Sequence, residues 1–232
     1  MDTQPNKTSG LFDDLAEYES SVYSQGGEDG ALARIFDVIG HHNRYFVEFG
    51  AWDGLHLSNT ANLRLNGGWQ GLLLEGSNHA DGELVKREFV SADNINQLFA
   101  KYDVPKTFDL LSIDIDGNEY WVWKALEDFS PRVVVVEYNV FFPVGQACTI
   151  PYDPNWIWDR SYYHGASIAA LRKLGRSKGY RLVYTDRFVP NAFFIRESEL
   201  PADYYERPLS ELTLWNLFDH AAPVDGRPWV NV

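Results

Sequence analysis

The stretch that decides the fold of this chain is Tyr45-Phe46-Val47-Glu48-Phe49-Gly50-Ala51-Trp52-Asp53-Gly54. Its first half is an apolar run of strand length, which predicts a β-strand over 45–49 that ends at Gly50. Glycine at this point lets the backbone turn sharply and lets a ligand approach the main chain. The loop lacks the G-x-G-x-x-G spacing of the dinucleotide fingerprint, so that kind of cofactor site is not predicted here.

On both sides of this stretch, apolar runs of strand length alternate with segments of helical periodicity. We predict helices over 11–23, 28–39, 58–65, 78–86, 94–102, 119–127 and 166–178. We predict strands over 45–49, 70–75, near 89–90, and over 108–114, 132–137, 181–185 and 192–196. This order builds an α/β fold with a mostly parallel sheet and helices on both faces. The last two strands are too close for a crossover helix, so they should form an antiparallel hairpin that leaves a reversed strand at one edge.

The length and composition fit one large domain. The chain has 232 residues, of which 45% are hydrophobic, enough for a full-sized core. We divide it into an N-terminal tail with a helix that could serve as a lid (1–22), a main domain (23–200) and an extension packed on that domain (201–232). The single cysteine, Cys148, excludes an internal disulfide.

Charge and hydropathy narrow the classes of partner. The formal net charge is −13, and nucleic-acid affinity depends on Lys and Arg neutralising phosphates, so a nucleic-acid partner is not expected. No apolar run reaches about 18 residues, so we expect no membrane span. The polar start of the chain lacks the features of a signal peptide, so a cytoplasmic location is expected. A small-molecule substrate is predicted, and a homodimer is left open.

Acidic residues stand where four of the predicted strands end. In an open parallel sheet, ligands bind beyond the carboxyl ends of the strands. The acids at these ends are Glu48, Glu75, Asp114 and Glu137. Glu75 follows Gly50 by 25 residues (75 − 50), close to the spacing of about 20 for an acid that binds a ribose diol. The sequence therefore predicts a ligand with hydroxyl or amino groups at this edge of the sheet.

Three segments together carry a resemblance to a known family. Val47–Gly54, with Leu74-Glu75 on the next strand, resembles the first two motifs of class I S-adenosylmethionine-dependent methyltransferases. Tyr23–Gly30 resembles the Ser-Gln-x-x-Glu-Asp lead-in of the FkbM-like branch, and Asp109–Glu119 resembles its fourth-strand motif. The similarity covers roughly residues 23–196. It implies a Rossmann-like methyltransferase fold with seven strands, the cofactor S-adenosylmethionine and methyl transfer, usually to oxygen.

The resemblance also implies a set of cofactor-binding residues. Glu48 and Gly50 would flank the methionine part of the cofactor, in the same loop as Asp53. Glu75 would hold the ribose, and Asp114 would face the amino group. The remaining implied contacts are Gln25 at the cofactor carboxylate and Gly76, Ser77, Asp93 and Asn94 on the adenine side.

Carboxylates after the fourth and fifth strands form a candidate metal site. Asp114 and Asp116 are two residues apart, so a strand would direct both side chains to one side, and Glu137 and Asn139 repeat that spacing. Oxygen ligands of this kind suit Mg²⁺ or another hard divalent cation. Some class I O-methyltransferases hold such an ion, which lowers the pKa of the hydroxyl to be methylated. The alternative is one acid on the cofactor amine and the others bound to helix N-termini.

Methyl transfer to a hydroxyl needs a group that accepts its proton. His56, two residues beyond the glycine loop, and His164, just before a predicted helix, are the candidate bases. Asn139 is a candidate for positioning the substrate. The segment 141–163 has little periodicity and many aromatic residues, which favours a substrate-facing cover.

Other functions remain open at this stage. Ile113–Gly117 is similar to the Asp-x-Asp-Gly motif of haloacid-dehalogenase-type phosphatases, but that motif normally ends the first strand of the fold and here it ends about the fourth. The cofactor loop does not select the carbon that is attacked. Transfer of another group, cyclisation of the cofactor, and binding without turnover are therefore alternatives to methyl transfer.

Overall fold

A seven-stranded sheet between two layers of helices forms the body of the protein. A computed structural model of the chain describes residues 10–187, 190–212 and 226–232. The helices are α1 (Leu15–Tyr18), α2 (Glu28–Ile39), α3 (Ala61–Gly67), α4 (Ile95–Lys101), α5 (Glu119–Ala125), α6 (Ile168–Ser177) and α7 (Leu209–Leu212). The strands are β1 (Tyr45–Phe49), β2 (Gln70–Glu75), β3 (Val85–Arg87), β4 (Thr107–Ile113), β5 (Ser130–Glu137), β6 (Cys148–Thr149), β7 (Tyr180–Thr185), β8 (Asn191–Arg196) and β9 (Val230–Asn231). Within the described ranges, no helix has the length and apolarity needed to cross a membrane.

The strand order in the large sheet is β3-β2-β1-β4-β5-β8-β7. The first five of these strands are parallel, and β8 runs antiparallel to both β5 and β7. The predicted mostly parallel seven-stranded fold with an antiparallel hairpin is confirmed. The reversed strand was expected at one edge of the sheet. It lies one place inward instead, because β8 inserts between β5 and β7. The order turns back between β1 and β4, and a crevice for ligands forms beyond the strand ends at such a point.

Alternation along β5 shows how the two faces of the sheet are filled. Val134 and Val136 point into the core under α4, α5 and α6, while Val133 and Val135 point into the core under α1 and α2. All four valines are fully buried. A strand that is covered on both sides must be apolar at every position, which explains the continuous valine run.

Most predicted elements lie where the sequence places them, and three of them (28–39, 45–49 and 70–75) have the predicted bounds. The predicted helix over 78–86 is wrong. The Asp81 carboxylate accepts N–H bonds from Glu83 and Val85, both at 2.9 Å, and Gly82 has a φ of +83°. This local turn leads directly into β3 at 85–87, so the strand expected near 89–90 begins four residues earlier.

The N-terminal segment packs into the core instead of forming a long helix. The helix predicted over 11–23 is present only as α1, while Phe12 and Leu15 are buried against α2 and the sheet. The chain then leaves the helix, and the Asp29 carboxylate accepts N–H bonds from Val22, Tyr23 and Ser24 at 2.7–2.9 Å. Phe12 and Leu15 therefore give the segment a packing role, which the lid prediction did not foresee.

A second, two-stranded sheet joins the end of the chain to the segment after β5. β6 pairs antiparallel with β9, and Trp229 packs against Phe142 and Tyr163 with ring centroids 4.5 and 4.6 Å away. Arg227 donates to Asp159 at 2.7 Å. The sequence did not predict this sheet, because two-residue strands carry no periodic signal.

Candidate active site

A cavity of about 760 Å³ opens beyond the carboxyl ends of β1, β2 and β4. Its size falls within the range of about 300–1,000 Å³ that is usual for small-molecule sites. It is lined by Gln25, Gly50, Trp52, His56, Leu57, Leu74, Glu75, Gly76, Ser77, His79, Glu88, Phe89, Val90, Asp114, Ile115, Asp116, Asn118, Trp156, Ile157, Trp158 and Arg160. The cavity thus lies where the strand order predicts a ligand crevice.

Gly50 closes the base of the cavity by letting two strand ends meet. It has a φ of +69°, and a Cβ added to it would lie 1.7 Å from the carbonyl oxygen of Asp114. The glycine is therefore needed for the close approach of β4 to β1. The sequence suggested two uses for this glycine, a sharp turn and the approach of a ligand, and the structure adds a third, the close contact with the end of β4.

Glu75 presents a carboxylate to the cavity at the end of β2. One oxygen accepts the N–H of Trp52 at 3.1 Å and the other accepts the N–H of Ser77 at 2.7 Å. A carboxylate has about four acceptor positions, so each oxygen can still accept a hydroxyl proton. This orientation fits the ribose-binding role that the resemblance implies, and Gly76 and Ser77 line the cavity beside it.

Glu48 lies beneath the cavity rather than in its wall. Its buried carboxylate accepts bonds from Ser58 Oγ at 2.7 Å, the N–H of Asn59 at 2.8 Å and Thr60 Oγ1 at 2.5 Å. These bonds hold the loop before α3 and start that helix at Ala61, three residues later than predicted. Glu48 therefore holds the loop at 58–60, and a direct contact with a cofactor does not follow from its placement.

Asp53 also serves the loop. Its carboxylate accepts the N–H groups of Leu55 at 2.9 Å and His56 at 2.7 Å, and the bond from His56 is the main reason that the pKa of Asp53 is lowered. The side chain is exposed and lies outside the cavity lining.

Asp93 and Asn94, two of the residues implied on the adenine side, are bonded to other parts of the protein. Asp93 accepts the Tyr152 hydroxyl at 2.8 Å, and Asn94 binds the main chain of Ser91 and Phe89. Neither side chain lines the cavity. Their place in the wall is taken by Glu88, Phe89 and Val90, which follow β3 and were missed because that strand was placed too late in the sequence.

Three acidic side chains converge after β4 and β5, as the sequence predicted for them. Asp114, Asp116 and Glu137 each offer a carboxylate oxygen, and these oxygens lie within 4.8 Å of one another. We call these three residues the acid triad. Burial and mutual repulsion raise the pKa of Asp114 and Glu137 well above their usual values, and burial raises that of Asp116, with Glu75 adding to the effect.

Glu119 is a fourth acid at this site that the sequence did not single out. It is fully buried and accepts the N–H of Ile115 at 3.1 Å and of Gly117 at 2.6 Å through one oxygen. Burial raises its pKa to about 7, and Asp116 adds to the effect. Its position at the first residue of α5 was visible in the fourth-strand motif, but the burial that makes it unusual was not.

Asn139 does not belong to the acid triad. Its amide nitrogen donates to the carbonyls of Tyr162 at 2.9 Å and His164 at 2.8 Å, and its oxygen accepts the N–H of Phe141 at 2.9 Å. The side chain is buried, and these bonds fix the segment 141–164 to the end of β5. Asn139 is thus bonded to the main chain of this segment, and it lies outside the cavity lining.

The two candidate bases are placed differently. His56 lines the cavity and is exposed. His164 does not line it. Its ring packs 5.7 Å from that of Trp158, its buried Nδ1 has no hydrogen-bond partner among the described residues, and burial lowers its pKa. A proton acceptor must be within reach of the reacting hydroxyl, so the geometry favours His56.

Aromatic side chains that the sequence did not assign complete the cavity wall. Trp52 stacks on His79 with ring centroids 3.7 Å apart and planes 17° apart, beside Glu75. Trp156 also lines the cavity, and its Nε1 donates to the carbonyl oxygen of Asp116 at 2.9 Å. Trp156 falls in the segment 141–163 that the sequence predicted as a cover, whereas Trp52 stands within the glycine-loop motif, where no pattern marked it as a wall residue.

Gln25 reaches the cavity from the lead-in segment before α2. The loop around it is held by carboxylates: the N–H of Gly26 donates to Glu28 at 2.7 Å and that of Gly27 to Asp186 at 2.7 Å. Glu28 is fully buried, and burial followed by repulsion from Asp186 raises its pKa. The acids of the lead-in motif thus build the loop that carries Gln25.

The residues present fit S-adenosylmethionine. The cavity is large enough, a carboxylate with free acceptor positions stands at the end of β2, and Asp114, Asp116 and Gln25 also line the wall. A ribose diol and an ammonium group are donors that these carboxylates can accept.

Comparisons with known proteins agree with this geometry. The family model described as the methyltransferase FkbM domain matches residues 32–182. A sequence search of curated proteins finds no match at the threshold applied.

Three solved structures with a similar fold share little sequence with this chain. TnmH is 16% identical with a TM-score of 0.39; the alignment covers 73% of this chain, which spans 57% of that one. An S-adenosylmethionine-dependent methyltransferase from Clostridium acetobutylicum is 8% identical with a TM-score of 0.38, over 71% of this chain and 89% of that one. Magnesium protoporphyrin IX methyltransferase from Synechocystis, solved with bound S-adenosylhomocysteine, is 12% identical with a TM-score of 0.38, over 84% and 90%.

These structures are too distant to assign roles to residues. The family of the chain is assigned from the family model. It covers more than half of the chain and includes the glycine loop, Glu75 and the acid triad. The chain belongs to the FkbM family of S-adenosylmethionine-dependent methyltransferases.

Proposed function

We propose that this protein transfers the methyl group of S-adenosylmethionine to a hydroxyl oxygen of a small polyhydroxylated metabolite or sugar. The observation that carries the proposal is the joining of two sets of groups in one cavity. Glu75 and the glycine loop line one part, and Asp114 and Asp116 line another. An acceptor held by the acids would thus lie beside the cofactor, as an in-line displacement requires.

The acid triad supports a divalent cation as part of this reaction. Three carboxylates whose oxygens lie within 4.8 Å of one another repel each other unless protons or a cation neutralise them. Hard oxygen ligands favour Mg²⁺ or Ca²⁺. Such an ion would lower the pKa of an acceptor hydroxyl. Asp114, Asp116 and Glu137 would hold it.

His56 is the residue we propose as the acceptor of the hydroxyl proton. It lines the cavity close to the glycine loop. The neutral form of an imidazole has one ring nitrogen that can accept a proton.

Calorimetry with S-adenosylmethionine, with and without Mg²⁺, tests the cofactor part of the proposal. Glu75→Ala should weaken binding about 10-fold to 100-fold, because two hydroxyl–carboxylate bonds are lost. Glu83→Ala, an exposed acid on the nearby turn, is the matched control and should bind like the wild type. The absence of binding by the wild type would overturn the proposal.

The nature of the transferred group is tested by analysis of the cofactor product after turnover with a panel of sugars and polyols. Methyl transfer leaves S-adenosylhomocysteine, whereas attack on another carbon leaves methylthioadenosine. Accumulation of methylthioadenosine would therefore refute methyl transfer while leaving cofactor binding intact.

A further inference from the structure

We propose that Trp156 is the platform on which the acceptor stacks, and that the acceptor class is a neutral pyranose ring. The inference rests on the proposed function and names the substrate class of the same site. Trp156 lines the cavity together with Asp114 and Asp116, and it is half-buried, so part of its ring remains available to a ligand.

The position of Trp156 is fixed by contacts on several sides. Its Nε1 donates to the carbonyl oxygen of Asp116 at 2.9 Å, and its main-chain N–H donates to the carbonyl of Asp153 at 3.0 Å. The amide of Asn118 donates to the same Asp153 carbonyl at 2.7 Å, which ties the turn to the start of α5. Its ring centroid lies 5.8 Å from that of Tyr163. A ring held in this way is preorganised, so stacking on it costs little entropy.

Gly117 makes this arrangement possible. A Cβ added to Gly117 would lie 2.1 Å from Nε1 and 2.3 Å from Cδ1 of Trp156. The glycine does not need a positive φ, so the backbone alone does not require it. The role of glycine within Asp114–Glu119 is therefore to let an indole ring lie against the loop that carries Asp116.

The chemistry of the wall selects the class of acceptor. Four of the five charged lining residues are acids, Glu75, Glu88, Asp114 and Asp116, and the fifth is Arg160, so the charged part of the wall consists mainly of hydrogen-bond acceptors. Carboxylates accept hydroxyl protons, and the negative face of an indole ring attracts the positively polarised C–H groups of a flat apolar surface. A pyranose presents both, with hydroxyls at its edge and C–H groups on its face.

Fluorine NMR of protein labelled with 5-fluorotryptophan tests the contact directly. The chain has eight tryptophans, and Trp156→Phe identifies the signal of Trp156 by its loss. Methyl glucopyranoside, galactopyranoside, mannopyranoside and rhamnopyranoside are titrated, with and without S-adenosylhomocysteine and Mg²⁺. We expect at least one of them to shift the Trp156 signal and to leave that of the buried Trp123 unchanged.

Three results would overturn the inference. In the first, no pyranoside moves the Trp156 signal. In the second, S-adenosylhomocysteine alone moves it and pyranosides do not, which assigns Trp156 to the cofactor. In the third, catechol moves it and pyranosides do not, which assigns it to an aromatic acceptor. Because the titration is also run without the cofactor product, its result is independent of whether methyl transfer is observed.

A double-mutant cycle separates stacking from a general loss of structure. Gly117→Ala should displace the indole ring and weaken the binding of the best pyranoside about fivefold to tenfold, as should Trp156→Ala. In the Trp156→Ala background, Gly117→Ala should have no further effect, because the ring it displaces is gone. Gly145→Ala, where the added Cβ meets nothing within 4 Å, is the matched control. Additive effects of the two substitutions would contradict the inference.

Discussion

At the scale of single residues, glycine and carboxylate chemistry decide the shape of the cavity. Gly50 lets the end of β1 meet the Asp114 carbonyl. Gly117 lets Trp156 lie on the loop after β4. Gly50 and Glu75 could be located from the sequence because each stands at the end of a strand with a clear apolar pattern. It could not tell that the partner of Gly50 is a strand, since a one-dimensional pattern contains no distances.

Gly50→Ala should destabilise the protein by at least about 2 kcal/mol more than Gly40→Ala does. The two glycines have nearly the same φ, +69° and +70°, but a Cβ at position 40 meets nothing within 4 Å. The difference between the variants therefore isolates the clash with the Asp114 carbonyl. Urea unfolding measures both free energies, and equal losses would show that backbone strain alone, without the clash, explains the requirement for glycine.

At the scale of elements, the segment before α2 acts as a built support for Gln25. The Asp29 carboxylate accepts bonds from three consecutive main-chain N–H groups. The carboxylates of Glu28 and Asp186 accept those of Gly26 and Gly27. The motif Ser-Gln-x-x-Glu-Asp thus contains one residue that faces the cavity and two acids that hold the loop. The resemblance identified all of these positions, but only the structure shows which residue faces the cavity and which acids hold the loop.

Asp29→Ala should loosen this loop and weaken S-adenosylmethionine binding roughly 10-fold, because charge-assisted bonds to main-chain N–H groups are lost next to Gln25. Asp37→Ala is the matched control, since Asp37 is an exposed acid on the same helix. Calorimetry gives both affinities. Unchanged cofactor affinity in a folded Asp29→Ala protein would show that the order of this loop does not contribute to cofactor binding.

Elements with weak periodicity were predicted least well, for physical reasons. The turn at 81–85 depends on the Asp81 side chain binding nearby N–H groups, which overrides the helical spacing of 78–86. The loop before α3 is shaped by the buried Glu48 carboxylate. In both places a side chain competes with the main chain for hydrogen bonds, and apolar periodicity does not register that competition.

At the scale of the whole molecule, the sheet brings acidic side chains together at the carboxyl ends of its central strands. The acid triad and Glu119 lie together, and burial and repulsion raise the pKa of these groups. The fold class and the convergence of the three acids followed from the sequence because they depend on parallel strand ends. The order of the strands and the bonding of the Asn139 amide did not, because the amide binds the main chain of 141–164, whose path no pattern specified.

The stability of the protein without metal should fall as pH rises from 5 to 8. The pKa of Glu119 is about 7 in the folded state against a usual value of 4.5, so the folded state binds more protons in this window and loses that stabilisation as pH rises through 7. Asp114 and Glu137 change in the same direction. Melting temperatures measured across this range test the sign, and a rise toward pH 8 would contradict it.

Mg²⁺ should oppose this loss, because a ligand that binds only the folded state stabilises it by mass action. At pH 8, 100-fold excess over the dissociation constant would add about 2.7 kcal/mol. Glu137→Gln should abolish the gain, whereas Glu83→Gln should leave it unchanged. An equal gain in wild type and Glu137→Gln would place the ion elsewhere.

The pairing of β6 with β9 has a consequence for protein engineering. The wall formed by residues 141–163 is completed by Arg227 and Trp229, which lie more than sixty positions later in the chain. A chimera that exchanges only 141–163 for the equivalent loop of a relative would leave these two side chains facing foreign partners. Grafts intended to change acceptor choice should therefore carry residues 226–232 together with the loop.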